Sequence, residues 1–210
     1  MTTLLIATRN AHKVGEIQAI LGAEFRCLTL KEFPGAPAVV EDAETFAGNA
    51  TKKAVALAEW LNRQQPLPNF VLADDSGLEV DALNGSPGVH SARFAALDKN
   101  ENSPDADNNA KLLRLLQAVP LEKRTGRFRC VMALVPLQPP AASRHAQIFD
   151  GACAGRIQTA ATGGGGFGYD PLFVPDGFQQ SFAELGEAVK NKLSHRAKAL
   201  EKLKRFFNGD

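Results

Sequence analysis

The chain is 210 residues long and nearly charge-balanced, with 24 lysines and arginines against 23 aspartates and glutamates. That length fits one domain, or one core in two lobes, and the balance leaves no global field to draw nucleic acid or a membrane surface, so any anion site has to be local. Three widely spaced cysteines, Cys27, Cys130 and Cys153, without a Cys-x-x-Cys, fit free thiols in a reducing compartment. No apolar run nears the ~20 residues of a spanning helix and no basic region precedes Leu4, so a soluble cytoplasmic protein is expected.

Thr3-Leu4-Leu5-Ile6-Ala7-Thr8 reads as a short apolar strand, and Val14, Ile17 and Leu21 mark a helix closed by Gly22. Between them lies Arg9-Asn10-Ala11-His12-Lys13. Strand, polar turn and helix start make the shape of an anion cradle, where backbone N–H groups and the donors of Thr8, Asn10 and Lys13 would converge on a phosphate. The plainer alternative is an ordinary connection, with Asn10 as N-cap and Lys13 solvated. No Gly-x-x-x-x-Gly-Lys loop decides between them.

Residues 33–44 carry Pro34, Gly35 and Pro37, then Glu41, Asp42 and Glu44, a loop that delivers acids to a helix start. Thr45 is the expected N-cap, and Phe46, Ala50, Ala54, Leu57 and Leu61 form an apolar stripe at helical spacing. Pro66 and Pro68 close this helix before the central strand Phe70–Ala73. That strand is expected to break into a turn at Asp74-Asp75-Ser76-Gly77. Two adjacent carboxylates raise each other's pKa unless a cation or shared proton sits between them, which makes the tip a candidate metal site; a simple polar turn is the alternative.

Leu78-Glu79-Val80-Asp81-Ala82-Leu83 alternates in period two and ends at the turn signal Asn84-Gly85, before a glycine-containing loop that carries Arg93. Residues 98–109 read as an exposed loop, followed by a helix marked by Leu112, Leu113, Leu116 and Val119. Arg127–Leu134 alternates as a strand with Phe128, Cys130, Met132 and Leu134 on one face. Gln138-Pro139-Pro140 is a turn, and Ala146–Phe149 and Cys153–Ile157 are expected as two further strands.

Gly163-Gly164-Gly165-Gly166-Phe167-Gly168-Tyr169-Asp170-Pro171 sets two aromatics in a glycine run, where backbone approaches a flat ligand and Phe167 stacks on it. Ser181-Phe182-Ala183-Glu184 has capping-box spacing. Ser194 would cap a last helix whose buried stripe includes Leu193, Ala197, Leu200, Leu203 and Phe207. His195 and Arg196 then fall in the first turn, where cations oppose the helix dipole and an acceptor-rich ligand would relieve the mismatch.

Thr8-x-Asn10-x-x-Lys13, Thr45-Phe46-x-x-Asn49-Ala50-x-x-Lys53-Ala54, Ala73-Asp74-Asp75-Ser76-Gly77-Leu78, Pro87-Gly88-x-x-Ser91-Ala92-Arg93, Gly166-Phe167-Gly168-Tyr169-Asp170-Pro171 and Ser194-His195-Arg196 together closely resemble the Ham1/RdgB inosine triphosphate pyrophosphatase family, in the family's order. The resemblance implies an α/β fold, a long mixed β-sheet flanked by helices with two lobes around a central substrate cleft, in a homodimer. It implies that residues 1–210 are a single nucleoside triphosphate pyrophosphatase domain that hydrolyses ITP, dITP and XTP to the monophosphate and pyrophosphate, clearing them from the nucleotide pool. It also implies Mg2+ held by Glu41, Asp74 and Asp75, with Asp75 as proton acceptor for the attacking water. Thr8, Arg9, Asn10, Ala11, His12 and Lys13 would hold the triphosphate, and Ser76 would lie beside the substrate. Phe167, Gly168, Tyr169, Asp170, Lys190, His195 and Arg196 would form the base pocket.

Base choice has a physical logic. Lys190 and Arg196 carry only donors, which match the 6-oxo acceptor of hypoxanthine and xanthine and face the 6-amino donor of adenine. Three positions depart from the family pattern: Arg9 stands where many relatives have Gly, Gly48 where an acid is common, and His90 where Tyr is usual. A Maf-like pyrophosphatase is the nearest rival, disfavoured by Lys190 and Ser194-His195-Arg196. A nucleotide-sensing or RNA-binding module is disfavoured by the charge balance.

Overall fold

The computed structural model describes residues 1–62, 68–96, 101–137 and 145–209. Among the described residues, five α-helices and six strands make an α/β fold: β1 (Thr2–Ile6), α1 (Ala11–Leu21), β2 (Phe25–Thr29), α2 (Phe46–Leu61), β3 (Phe70–Val80), α3 (Asp105–Leu115), β4 (Thr125–Pro136), β5 (Gln147–Ile157), β6 (Phe173–Pro175), α4 (Phe182–Leu193) and α5 (His195–Asn208). The strands form one mixed sheet in the order β2-β1-β3-β4-β5-β6. β1 runs parallel to β2 and β3, with Leu4 opposite Phe70 and Ile6 opposite Leu72, whereas β5 and β6 are antiparallel. The expected mixed sheet flanked by helices is therefore the observed one.

The chain divides into two compact units, residues 1–75, 130–150 and 199–210 in one, and residues 76–129 and 151–198 in the other. In the first unit, strand alternation supplies two cores. Leu5, Ala7, Val71, Ala73, Ala133 and Val135 pack with Ala50, Ala54, Leu57 and Leu61 of α2, the stripe read from the sequence. Leu4, Ile6, Leu72, Cys130, Met132 and Leu134 pack with Ile17 and Leu21 of α1 and with Leu200 and Leu203 of α5. Strands buried on both faces read as continuous apolar runs, which is why Leu4-Leu5-Ile6-Ala7 and Phe70-Val71-Leu72-Ala73 show no polar alternation. The second unit is built on Leu78, Val80, Phe94, Leu112, Leu116, Phe128, Ile157, Leu172, Phe173 and Phe182.

Several expectations change. β3 does not turn at Asp74; it stays extended through Ser76 and Gly77 to Val80. The Gly88 carbonyl and the Ser91 hydroxyl lie against Gly77 where a side chain would be, and the Leu78 N–H donates to Ser91 Oγ at 2.9 Å, so the segment is gripped as a strand. The reversal comes later, at Asp81–Gly85, with Asn84 left-handed at φ 52° and a bridge between Glu79 and Pro87. β5 is one strand where two were expected, and α3 starts at Asp105, inside the stretch read as loop. β2 and β6 were not anticipated. The expected turn at residues 138–140 and the closing proline Pro66 lie outside the described residues.

Candidate active site

In the first unit, the turn after β1 ends in a side-chain cap. Asn10 Oδ1 accepts the His12 N–H at 2.9 Å and the Lys13 N–H at 3.1 Å, and the Asn10 N–H donates to Thr8 Oγ1 at 3.2 Å. Asn10 is thus the N-cap of the plainer alternative. Lys13 is not solvated as that alternative required: its Nζ donates to Asp74 Oδ1 at 2.6 Å, and its side chain is 16% exposed. Arg9 reaches out of the turn to donate to the Ala36 carbonyl at 2.8 Å.

Adjacent residues of an extended strand point to opposite faces, and the two aspartates of β3 have different partners accordingly. Asp74 accepts from Lys13 on one oxygen and from the Cys130 thiol on the other, at 3.1 Å. Asp75 Oδ2 accepts from Asn49 Nδ2 at 3.0 Å. Asn49 stands one helical turn before Lys53 on α2; its Oδ1 takes the Ala43 N–H at 2.9 Å, while Lys53 Nζ pairs with Glu41 Oε2 at 2.8 Å. Burial pushes the Asp75 carboxyl up to about 6, against the pull of Lys13, Lys53 and the Asn49 amide and with a small push from Glu41. Glu41 and Asp75 therefore lie within each other's field. Among the described residues, no group of three or more His, Cys, Asp or Glu side chains is arranged to hold a metal ion. Asn49, Lys53 and Cys130 received no role from the sequence, although the i, i+4 spacing of Asn49 and Lys53 beside a buried stripe is a readable signal.

In the second unit, Asp170 is the hub. Its Oδ2 accepts from Lys190 Nζ at 2.5 Å and from the Phe167 N–H at 2.8 Å. The carboxylate sits against the α-carbon of Gly166, which has φ 74° and no room for a side chain. Lys190 Nζ also lies 4.4 Å from the centroid of the Phe167 ring, and the Arg196 guanidinium 6.0 Å from it. Ser194 caps α5 as expected, its Oγ accepting the Ala197 N–H at 3.2 Å. The first turn then buries both side chains: Arg196 NH2 donates to Ser76 Oγ at 2.9 Å, and the His195 ring stacks on Phe128 with centroids 4.8 Å apart. Lys190 and Arg196 are only 2% and 1% exposed, a burial whose cost acceptors such as Asp170 and Ser76 offset. The Tyr169 hydroxyl donates to the Ser91 carbonyl at 2.9 Å, and burial holds its pKa above the ordinary phenol value.

Residues 4–206 match the family model described as the Ham1 family. The chain belongs to the Ham1 family. It is 48% identical to a dITP/XTP pyrophosphatase of Desulforamulus reducens over 98% of this chain and 95% of that one, and 48% identical to the dITP/XTP pyrophosphatase of Geobacillus kaustophilus over 97% and 93%. Among solved structures, a HAM1 protein from Coxiella burnetii superposes with a TM-score of 0.82 at 35% identity over all of both chains. The Staphylococcus aureus Ham1 protein superposes with 0.81 at 34% over 99% of each.

Two of the positions that depart from the Ham1 pattern have a local cause here. A side chain at Gly48 would meet the Ala43 methyl at 2.8 Å, so the loop before α2 packs directly against this glycine. Arg9 spends a donor on the loop that carries Glu41. Nothing in the structure explains His90, which is exposed.

Proposed function

We propose that this Ham1 chain acts as a single pyrophosphatase domain that converts ITP, dITP and XTP to the monophosphate and pyrophosphate. The observation that carries the reading is Asp75: a buried carboxylate near pKa 6 that accepts from the Asn49 amide and lies in the field of Lys13 and Lys53. The names of the relatives, dITP/XTP pyrophosphatase, support it.

In this reading Asp75 takes a proton from the attacking water. At neutral pH the carboxylate is ionised yet basic enough to accept it, the match that general-base catalysis favours. The bond between the α- and β-phosphates breaks and pyrophosphate leaves. Thr8, Arg9, Asn10, Ala11, His12 and Lys13 bind the phosphate chain. Glu41, Asp74 and Asp75 are hard oxygen donors, and one or two of these carboxylates would hold Mg2+ together with substrate oxygens and water. Bound Mg2+ would offset the charge that builds on the phosphate oxygens.

Lys190 and Arg196, donors only, read the 6-oxo group, Phe167 stacks on the ring, and Gly168, Tyr169, Asp170 and His195 complete the pocket. An adenine 6-amino group would leave donors facing donors, which costs ~1–3 kcal/mol for each unpaired group. The chain is further proposed to work as a homodimer in the cytoplasm, clearing the nucleotide pool.

The test is pyrophosphate release from ITP, dITP, XTP, ATP and GTP with and without Mg2+, for the parent and Asp75→Asn. Release confined to the first three, dependent on Mg2+ and reduced by at least ~100-fold in the variant, is expected. Comparable turnover of GTP or ATP would overturn the pocket assignment.

A further inference from the structure

The turn that carries Phe167 is gripped by residues outside the set assigned so far. The Gly168 N–H donates to Asp105 Oδ2 at 2.6 Å, and Asn109 Nδ2 donates to the Gly168 carbonyl at 3.0 Å. Asp105 and Asn109 stand i, i+4 at the start of α3, so they lie on one face of the helix. Four consecutive polar groups of the turn are thereby held: the Phe167 N–H and C=O by the Asp170 carboxylate and N–H, and the N–H and C=O of Gly168 by α3.

The stability of α3 does not account for these contacts. Asn109 Oδ1 is buried without a hydrogen-bond partner among the described residues, a desolvation cost that an apolar side chain would avoid. Asp105 is exposed, and its charge would favour the helix N-terminus equally well if the side chain faced water. What the pair accomplishes is to orient the two peptide planes flanking Gly168, and with them the backbone that aims the Phe167 ring.

We propose that Asp105 and Asn109 are positioning residues for base selection, clamping the Gly168 peptide so that Phe167 holds the substrate base in register with the donors of Lys190 and Arg196. The inference rests on the pyrophosphatase reading above. It separates from a merely structural staple by sign, because replacing Asn109 with leucine removes an unpaired buried acceptor while cutting the clamp.

The experiment compares the parent with Asp105→Ala, Asp105→Asn and Asn109→Leu in steady-state pyrophosphate release from XTP, dITP and dGTP, in urea unfolding, and in amide exchange at Gly168. Loss of one hydrogen bond to the turn is expected to raise KM for XTP and dITP about three- to tenfold in Asp105→Ala and Asn109→Leu, with kcat within about twofold. Turnover of dGTP relative to XTP should rise in both. Asp105→Asn, which keeps an acceptor for the Gly168 N–H, should retain the parental KM. Asn109→Leu should unfold at the parental urea midpoint or above it. Parental KM in both clamp-cutting variants overturns the proposal, as does a KM change that only tracks lost stability. A parent that releases no pyrophosphate from XTP or dITP overturns the pyrophosphatase reading and the base-selection role with it. In that case Gly168 exchange, fast in Asp105→Ala and slow in Asp105→Asn, still shows that the clamp exists.

Discussion

Asp75 has to be ionised to accept a proton, and the fold penalises that ionisation. Its carboxyl titrates near 6 in the folded chain, chiefly because it is buried, against ~3.9 for an unfolded aspartate. A raised carboxyl pKa means that the folded state binds the proton more tightly. The protonated form is therefore favoured by folding below about pH 4, and that contribution is lost as pH rises through 6. Two pKa units correspond to ~3 kcal/mol at most. In metal-free buffer Asp75→Asn, neutral at every pH, is expected to be more stable than the parent by ~1–3 kcal/mol at pH 7.5 and equal to it near pH 4. Urea unfolding in EDTA at the two pH values measures this. Equal stability at both would mean that Lys13, Lys53 and Asn49 offset the burial of Asp75 completely.

Among elements, β3 shows where local preference loses to packing. Asp, Ser and Gly each favour turns, so Asp74-Asp75-Ser76-Gly77 reads as one from its own residues. The contacts that keep it extended come from Ser91 and Gly88, more than ten residues on, and no local pattern announces them. Gly77→Ala would push a methyl into those two groups and should cost ~1–3 kcal/mol in urea unfolding. Gly164→Ala, with open space around it and an ordinary backbone, is the neutral control. A silent Gly77→Ala would mean that the strand is not gripped as described. The same limit explains β6, whose three residues are too few to show periodicity, and the division of β5, where Asp150-Gly151 imitates a break in a continuous strand. Helices were more legible because their evidence is local: the stripe of α2, the Ser181 capping box of α4 and the Ser194 cap of α5 all appear as read. For the site, the aspartates, Arg196, Asn49 and Lys53 all stand in motifs of the sequence, but the contacts of Asn49 and Lys53, and any part for Asp105 and Asn109, come only from the groups they touch.

At the scale of the whole molecule, affinity for an anionic ligand has no net charge to draw on. With 24 basic against 23 acidic residues, attraction must come from a few placed cations, and several surface cations are already spent on neighbours, as in the Lys202–Asp150 and Arg205–Glu201 pairs. A ligand that fits should therefore stabilise the chain far more than a polyanion that merely carries phosphate. A ligand present at 100 times its dissociation constant adds ~2.7 kcal/mol to the folded state, and for a chain of this size each kcal/mol moves the melting temperature by ~2–4 °C. The α,β-methylene analogue of XTP with Mg2+ is thus expected to raise the melting temperature by ~5–10 °C, and EDTA should remove most of that gain. The ATP analogue, or poly(A) at the same phosphate concentration, should raise it by no more than about a degree, since neither offers a 6-oxo acceptor to Lys190 and Arg196. A rise with poly(A) that matched the XTP analogue and collapsed with salt would point to a spread electrostatic surface and away from a built pocket. Charge neutrality thus makes thermal stabilisation a test of fit, because a ligand gains little here from its charge alone.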